Sequence, residues 1–507
     1  MNKEKSRTEK ALMNVGGNML YQITNTVVNI IIPPLIIGKY GSIVNGLIST
    51  IKQIISYVQL IGAGIAESSV VSLYKPLADK NHKKISAVYN ASAKAFWQAG
   101  MVFSVISCII ATIYPFLISN NLNKVMISLI VIALCASGAS EFFMVGKYRT
   151  LLTADQKIYM VNIAQTVGAV MNLIITVILI NINVDIVIVQ IGSSIIYIMR
   201  IFILTLYIKK HYKYIDTKVK PDNTAISRRK AATIHQLAGL ITFGSQTVVV
   251  SSFCGLAEGS VYSVYNLVFS GINTLCSTLS SALLASFGEI IAKNQKDKLN
   301  NSFRIYECIY YLLIFIFYSV AYIMILPFVE VYTSGVTDAN YIRPLSATLF
   351  AIMGLLNCIR TPGATLINAI GHYDETKNRS IIEMVICFTL EMIFVQKFGM
   401  NGVLLGTIVA YAYRTIDVIL YSNKIILNSS VIKSIRILLI NFVTFFIFYL
   451  ISNFITYHID GYFSWVLYAS LYTFIALIMF FVVNYFFNKK LLDDMLFRVK
   501  DLIGFRR

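Results

Sequence analysis

Runs of apolar residues long enough to cross a hydrocarbon core recur from one end of the chain to the other, more than a soluble domain could bury. A core of ~30 Å takes about 20 helical residues per crossing. Fourteen such runs are read, at 11–37, 43–71, 95–118, 122–146, 158–181, 184–208, 233–254, 260–291, 305–332, 343–370, 380–396, 401–422, 434–456 and 463–487. Composition agrees: of 507 residues 57% are hydrophobic and 13% charged, and mean hydropathy is +0.70. The predicted fold class is an all-α polytopic membrane protein with about 14 transmembrane helices.

An even number of crossings puts both termini on one side, and the basic residues say which. Most of the 43 lysines and arginines fall in the termini and in alternate loops, whereas the opposite loops hold only Lys39, Lys124, Arg343 and Lys397. By the positive-inside rule both termini are cytoplasmic, in a multi-pass protein of the cytoplasmic (plasma) membrane. The net charge of +19 is thereby explained by topology, and no nucleic-acid partner is expected. The basic N-terminus lacks a short apolar segment ending in a small-residue cleavage site, so the first helix is read as uncleaved. Seven cysteines, all within apolar segments and without ligand spacing, read as core residues; no metal site and no cofactor are expected.

The chain repeats itself. Shifting residues 40–80 forward by 218 lays "YGSI" on "EGSV" and aligns Lys75, Asp79 and Lys80 with Lys293, Asp297 and Lys298. A shift of 214 lays "GSSIIYIMR" on "GTIVAYAYR", matching Arg200 with Arg414. Six crossings per half give both halves the same orientation, so the pseudo-two-fold axis runs along the membrane normal. The expected organisation is an N-terminal lobe at 1–208 and a cytoplasmic linker at 209–230. A C-terminal lobe follows at 231–424, then a last helix pair with a basic tail at 425–507.

Polar residues fall on stripes. In the first helix Asn14, Asn18, Gln22, Asn25 and Asn29 lie within an arc of about 80°. Asn45, Ser49, Lys52, Ser56 and Gln59 do the same in the second, and Ser263, Asn266, Ser270, Asn273, Thr274 and Ser277 in the eighth. Such stripes either glue helices together or line an aqueous cavity. The lysine in one of them favours the cavity, so Lys52, Asn18, Gln22, Asn25, Asn29, Asn45, Gln59, Asn266 and Asn273 are substrate-binding candidates.

A second cation, Arg360, interrupts "GLLNCIRTPGATLINAIGHYDETKNRS" (354–380) just before Pro362 and Gly363, which break the helical ladder. It is read either as a substrate ligand or as the partner of Glu391, placed at similar depth in the next helix. Glu141, Glu383 and Glu391 are candidates for proton or sodium coupling, with structural ion pairing as the other reading. Pairing with Asp417 is one expectation for Arg414.

The segments "GKYRTLLTADQKIYMVNI" (146–163), "LINAIGHYDETKNRSII" (366–382) and "GGNMLYQITNTVVNIIIPPLIIGKYG" (16–41) resemble the polysaccharide-transporter branch of the multidrug/oligosaccharidyl-lipid/polysaccharide exporter superfamily, with Wzx-type flippases as the nearest group. The resemblance implies two six-helix lobes around a cavity lined by helices 1, 2, 7 and 8. It also implies movement of a polyprenyl-diphosphate-linked oligosaccharide from the inner to the outer leaflet by alternating access. Membrane lipid and proteins of polysaccharide biosynthesis are the expected partners, and Glu141, Glu383 and Glu391 are the residues on which coupling to an H+ or Na+ gradient is expected.

Two rival classes fit less well. A multidrug or cation exporter of the same superfamily should carry an acid-rich cavity, whereas the clearest cavity charge here is Lys52. A membrane glycosyltransferase or polymerase should carry a large external loop with catalytic groups, but the longest, "TSGVTDANYI" (333–342), is short. The chain is therefore expected to be a transporter and not an enzyme.

Overall fold

The computed structural model describes residues 7–118, 122–222, 244–293, 295–455 and 459–502. The later part of the proposed linker and the start of the seventh run, 223–243, lie outside the described residues. Helices α1 (Arg7–Tyr40), α2 (Ser42–Gln59), α3 (Ala63–Ala78), α4 (His82–Leu117), α5 (Lys124–Ser140), α6 (Gly146–Ala154), α7 (Tyr159–Asn181) and α8 (Ile186–His211) come first. A helix at 244–254, α9, follows. Then come α10 (Leu256–Ala292), α11 (Lys296–Tyr332), α12 (Pro344–Ile359), α13 (Thr361–Ile370), α14 (Tyr373–Tyr421), α15 (Ile432–Ser452) and α16 (Tyr462–Leu502). Over the described residues every predicted run falls mainly on helix. Among the described residues ten helices are long and apolar enough to cross a membrane, which makes this a multi-pass membrane protein.

Helix starts follow local chemistry. Asn81, Asn123 and Asp185 each accept a hydrogen bond from a backbone N–H of the first turn of α4, α5 and α8, at 3.0, 2.9 and 2.8 Å. These donors would otherwise have no intrahelical acceptor. Asn14 of α1 does the same at a distance: its Oδ1 accepts from Tyr159 N (3.0 Å) while its Nδ2 donates to Gln156 O (2.9 Å). One member of the first stripe is thus a cap for α7.

The chain divides into two compact units, Met1–Ser260 and Val261–Arg507. In the first, α2, α4, α5 and α8 meet around Leu47, Ile51, Phe103, Ile127 and Val131, and a second apolar cluster joins α3, α4, α6 and α8 around Leu73, Val88, Leu151 and Leu204. The first part of the linker docks on α4, where Asn90 Nδ2 donates to Asp216 O and Val219 O at 3.0 and 2.8 Å. In the second unit α11 is central, packing against α12, α15 and α16. Beside it Tyr265, Phe350 and Phe269 form an aromatic stack with ring centroids 5.5 and 5.9 Å apart.

α14 is two helices joined at Gly399 (φ 56°, ψ −136°) in a tight hairpin, and they carry the predicted eleventh and twelfth runs. Glycine is required here by the positive φ. Close packing then depends on Gly402 and Gly406, one turn apart. A Cβ at Gly402 would lie 2.1 Å from Phe394 O, and one at Gly406 would lie 2.7 Å from Glu391 N.

The structure corrects the repeat register. Ser42 and Ala78, the ends of the α2–α3 segment, stand 214 residues before Leu256 and Ala292, the ends of α10; His82 and Lys296, which open α4 and α11, are also 214 apart. Sequence matching of residues 40–80 indicates 218 instead. A slip of four residues is about one helical turn, which rotates a stripe by only ~40°, so the polar pattern matches in either register. With 214, Lys52 corresponds to Asn266 instead of Ser270.

Candidate functional site

Within the first unit, α1, α2, α5, α7 and α8 line a partly open cavity of about 240 Å3. At ~30 Å3 per molecule in the liquid, it has room for about eight waters. Lys52 extends into it from α2, ten residues after Ser42, which is ~15 Å along a helix that must traverse a core of ~30 Å. The side chain stays accessible, and among the described residues it has no carboxylate partner. No other charged side chain lines the cavity among the described residues.

The walls combine amides and hydroxyls with apolar residues, Val28, Ile32, Pro33, Ile55 and Leu134. Asn29 and Gln59, both expected, are there, and so are Asn172 of α7, Gln190 and Ser194 of α8 and Ser137 of α5. Asn172 Oδ1 accepts hydrogen bonds from the hydroxyls of Ser193 and Thr176, which fixes its orientation. Pro33, also in the wall, has no N–H to offer the carbonyl of Asn29 one turn back, so a backbone acceptor loses its helical donor at the same level. Sequence reading missed the α7 and α8 contributors. Asn172 and Gln190 are polar residues within apolar segments, the one signal the sequence offers for them, and the structure buries both.

Other stripe members go elsewhere. Asn45 is buried and donates from Nδ2 to Ser260 Oγ at 2.7 Å, so it serves packing, not a cavity. Asn273 accepts from the Tyr318 hydroxyl (3.1 Å) and Cys358 Sγ (3.0 Å), a contact joining α10, α11 and α12. A polar stripe gives a direction on a helix and not a partner, which is why hydrogen-bond glue and cavity lining look alike in sequence. Asn18 is exposed on α1, while Gln22, Asn25 and Asn266 are half-buried.

The intramembrane carboxylates separate into two kinds. Glu141 opens a single π-helical turn, Glu141–Val145, and receives Arg149 at 2.8 Å and Arg200 at 3.3 Å. Glu383 pairs with Arg360 and lies 3.6 Å from Arg414 Nε, and Arg414 also makes the expected contact to Asp417 at 2.6 Å. Glu391 differs: it is fully buried, and its Oε1 accepts from the Thr407 hydroxyl (2.9 Å) and Cys387 Sγ (3.0 Å).

Arg360 is therefore not a free ligand, and its partner is not Glu391. The guanidinium donates to Glu383 and, through Nε and Nη2, to Asn357 Oδ1 at 3.1 and 2.6 Å, while Tyr411 covers it at 4.6 Å from the ring centroid. It is 6% exposed. The expected pairing misjudged depth, because α14 begins at Tyr373 and not near 380. Arg360 stands ten residues before the end of α13 and Glu383 ten residues after the start of α14, level across the turn. Glu391 is eight residues further, ~12 Å deeper.

No protein-family model and no curated protein matches the chain. Solved structures match its fold. An inward-facing multidrug resistance MATE family transporter of the MOP superfamily aligns with TM-score 0.66 at 12% identity, over 81% of this chain and 97% of its own. The lipid II flippase MurJ in an inward closed conformation aligns with TM-score 0.66 at 14% identity, over 94% and 100%. A mutant form of the Vibrio cholerae MATE transporter VcmN gives 0.58 at 15%, over 84% and 98%. The chain thus has the fold shared by these MOP-superfamily transporters and flippases.

Proposed function

We propose that this protein is a flippase that moves polyprenyl-diphosphate-linked oligosaccharide repeat units from the inner to the outer leaflet of the cytoplasmic membrane, by alternating access, for cell-surface polysaccharide synthesis. One observation carries the reading: among the described residues the cavity of the first unit presents a single charge, the cation Lys52, beside amides and hydroxyls on a partly apolar wall. A diphosphate entering low dielectric needs a cation with free hydrogen-bond donors, and an ammonium supplies three. Sugar hydroxyls need the mixed donors and acceptors that Asn29, Gln59, Asn172 and Gln190 offer. An acid-lined cavity, suited to cationic drugs, would have the opposite electrostatics.

The match to the lipid II flippase extends over more of the chain than those to the multidrug transporters, which leave about a fifth of it unaligned. In this reading both termini are cytoplasmic, and the α15–α16 pair offers apolar surface for a lipid tail. Glu391 is the carboxylate proposed for H+ or Na+ coupling, since Glu141 and Glu383 are held in ion pairs. The cation-exporter alternative draws on the equal TM-score of the MATE structure.

Lys52→Ala is the test in cells. Loss of a charge-assisted contact of about 1.5–3 kcal/mol should reduce polysaccharide export about tenfold or more at unchanged membrane level, with Lys52→Arg retaining most of it. Normal export by the alanine variant would remove Lys52 from the mechanism.

A further inference from the structure

The second unit holds another cavity, of about 560 Å3, where the first turns of α11 and α15 meet the last part of α16. Its size is that of a small-ligand pocket. It lies at the ends of three spans, which by the positive-inside expectation face the cytoplasm. Four cations line it, Lys433 and Arg436 from α15 and Lys489 and Lys490 from α16, against the carboxylates of Asp297 and Asp494. All four cations are exposed, and none has a carboxylate partner among the described residues.

A built floor supports them. Arg304 of α11 also lines the pocket and is 6% exposed. Its terminal nitrogens are committed to Glu307 and Ser434, at 2.8 and 2.7 Å, to Ser429 at 2.7 Å and to Asn423. Its Nε is buried and has no hydrogen-bond partner. Beside it α16 breaks at Asn488 (φ −125°, ψ 29°), and a buried chain of amides fixes the break: Asn488 donates to Asn484, and Asn484 to Asn441 of α15, each at 3.0 Å. The break brings Lys489 and Lys490 to the pocket and frees Phe487 O to accept from Arg436 at 3.2 Å.

The rim identifies the source of the anion. Phe487, in the lining, is 58% exposed, and Phe486 and Ile432 beside the cations are 79% and 73% exposed. Uncompensated cations next to apolar surface at helix ends match the boundary where lipid phosphates meet acyl chains. We propose that this pocket binds the phosphate of an anionic phospholipid headgroup in the cytoplasmic leaflet, anchoring the α15–α16 pair. The site is separate from the Lys52 cavity and does not depend on the transport reading.

The test titrates short-chain phosphatidylglycerol, phosphatidylcholine or inorganic phosphate into the purified full chain in neutral detergent. Binding is followed by the shift in melting temperature and by native mass spectrometry. Phosphatidylglycerol should bind and stabilise, whereas the other two should not. Each cation removed should weaken binding about fivefold, so Lys433→Ala with Lys489→Ala should weaken it roughly 25-fold, with Lys→Arg at both positions preserving it. These side chains are exposed, so the unliganded melting temperature should stay unchanged. Equal stabilisation by phosphatidylcholine, an equal response to phosphate alone, or unaltered binding by the alanine pair would overturn the proposal.

Discussion

At the scale of single residues, what distinguishes Arg360 from Lys52 is compensation. Both are cations at membrane depth, but Arg360 is packed between Glu383, Asn357 and Tyr411, while Lys52 reaches accessible space. Arg360→Ala would leave the Glu383 carboxylate, among the described residues, with only Arg414 at 3.6 Å. Breaking a buried pair from one side costs about 3–5 kcal/mol, so the expected outcome is a sharp fall in membrane level and melting temperature. Exchanging the charges, Arg360→Glu with Glu383→Arg, should recover part of that loss, and exchange with Glu391 should recover none. That the cation at 360 needs compensation is legible in the sequence, but its partner is not. Polar residues Tyr373–Ser380 hide the first two turns of α14 and so shift the apparent depth of every residue after them.

At the scale of elements, apolar length is more informative than polar pattern. The spans are legible because lipid leaves the backbone little choice but helix. Stripes on α1 and α2 include Asn29, Lys52 and Gln59, which line the cavity, but also Asn14, a cap for α7, and Asn45, a donor to Ser260. Asn172 and Gln190 form no stripe, so only folding joins them to Lys52. The α14 hairpin makes a sharper prediction. Gly402→Ala places a Cβ against backbone, which no rotamer change relieves, and overpacking of this kind costs about 1–3 kcal/mol. A lowered melting temperature in Gly402→Ala, against an unchanged one in Gly271→Ala, where a Cβ meets nothing within 4 Å, is the expected contrast.

At the scale of the whole molecule, the repeat places charge at corresponding breaks in both units with its sign reversed. Glu141 at the π-helical turn takes Arg200, and Arg360 at the α12–α13 break takes Glu383. The two units thus solve the same problem, a polar group at a helix break, with opposite charges. Only the first unit has the Lys52 cavity, and its electrostatics carry the functional reading. The direct measurement is reconstitution: proteoliposomes containing the full chain, with either a fluorescent diphosphate-linked oligosaccharide lipid or a cationic dye as cargo. The expected result is protein-dependent translocation of the lipid, reduced about tenfold by Lys52→Ala, and no transport of the dye. Dye transport with the diphosphate lipid left in place would contradict the flippase reading.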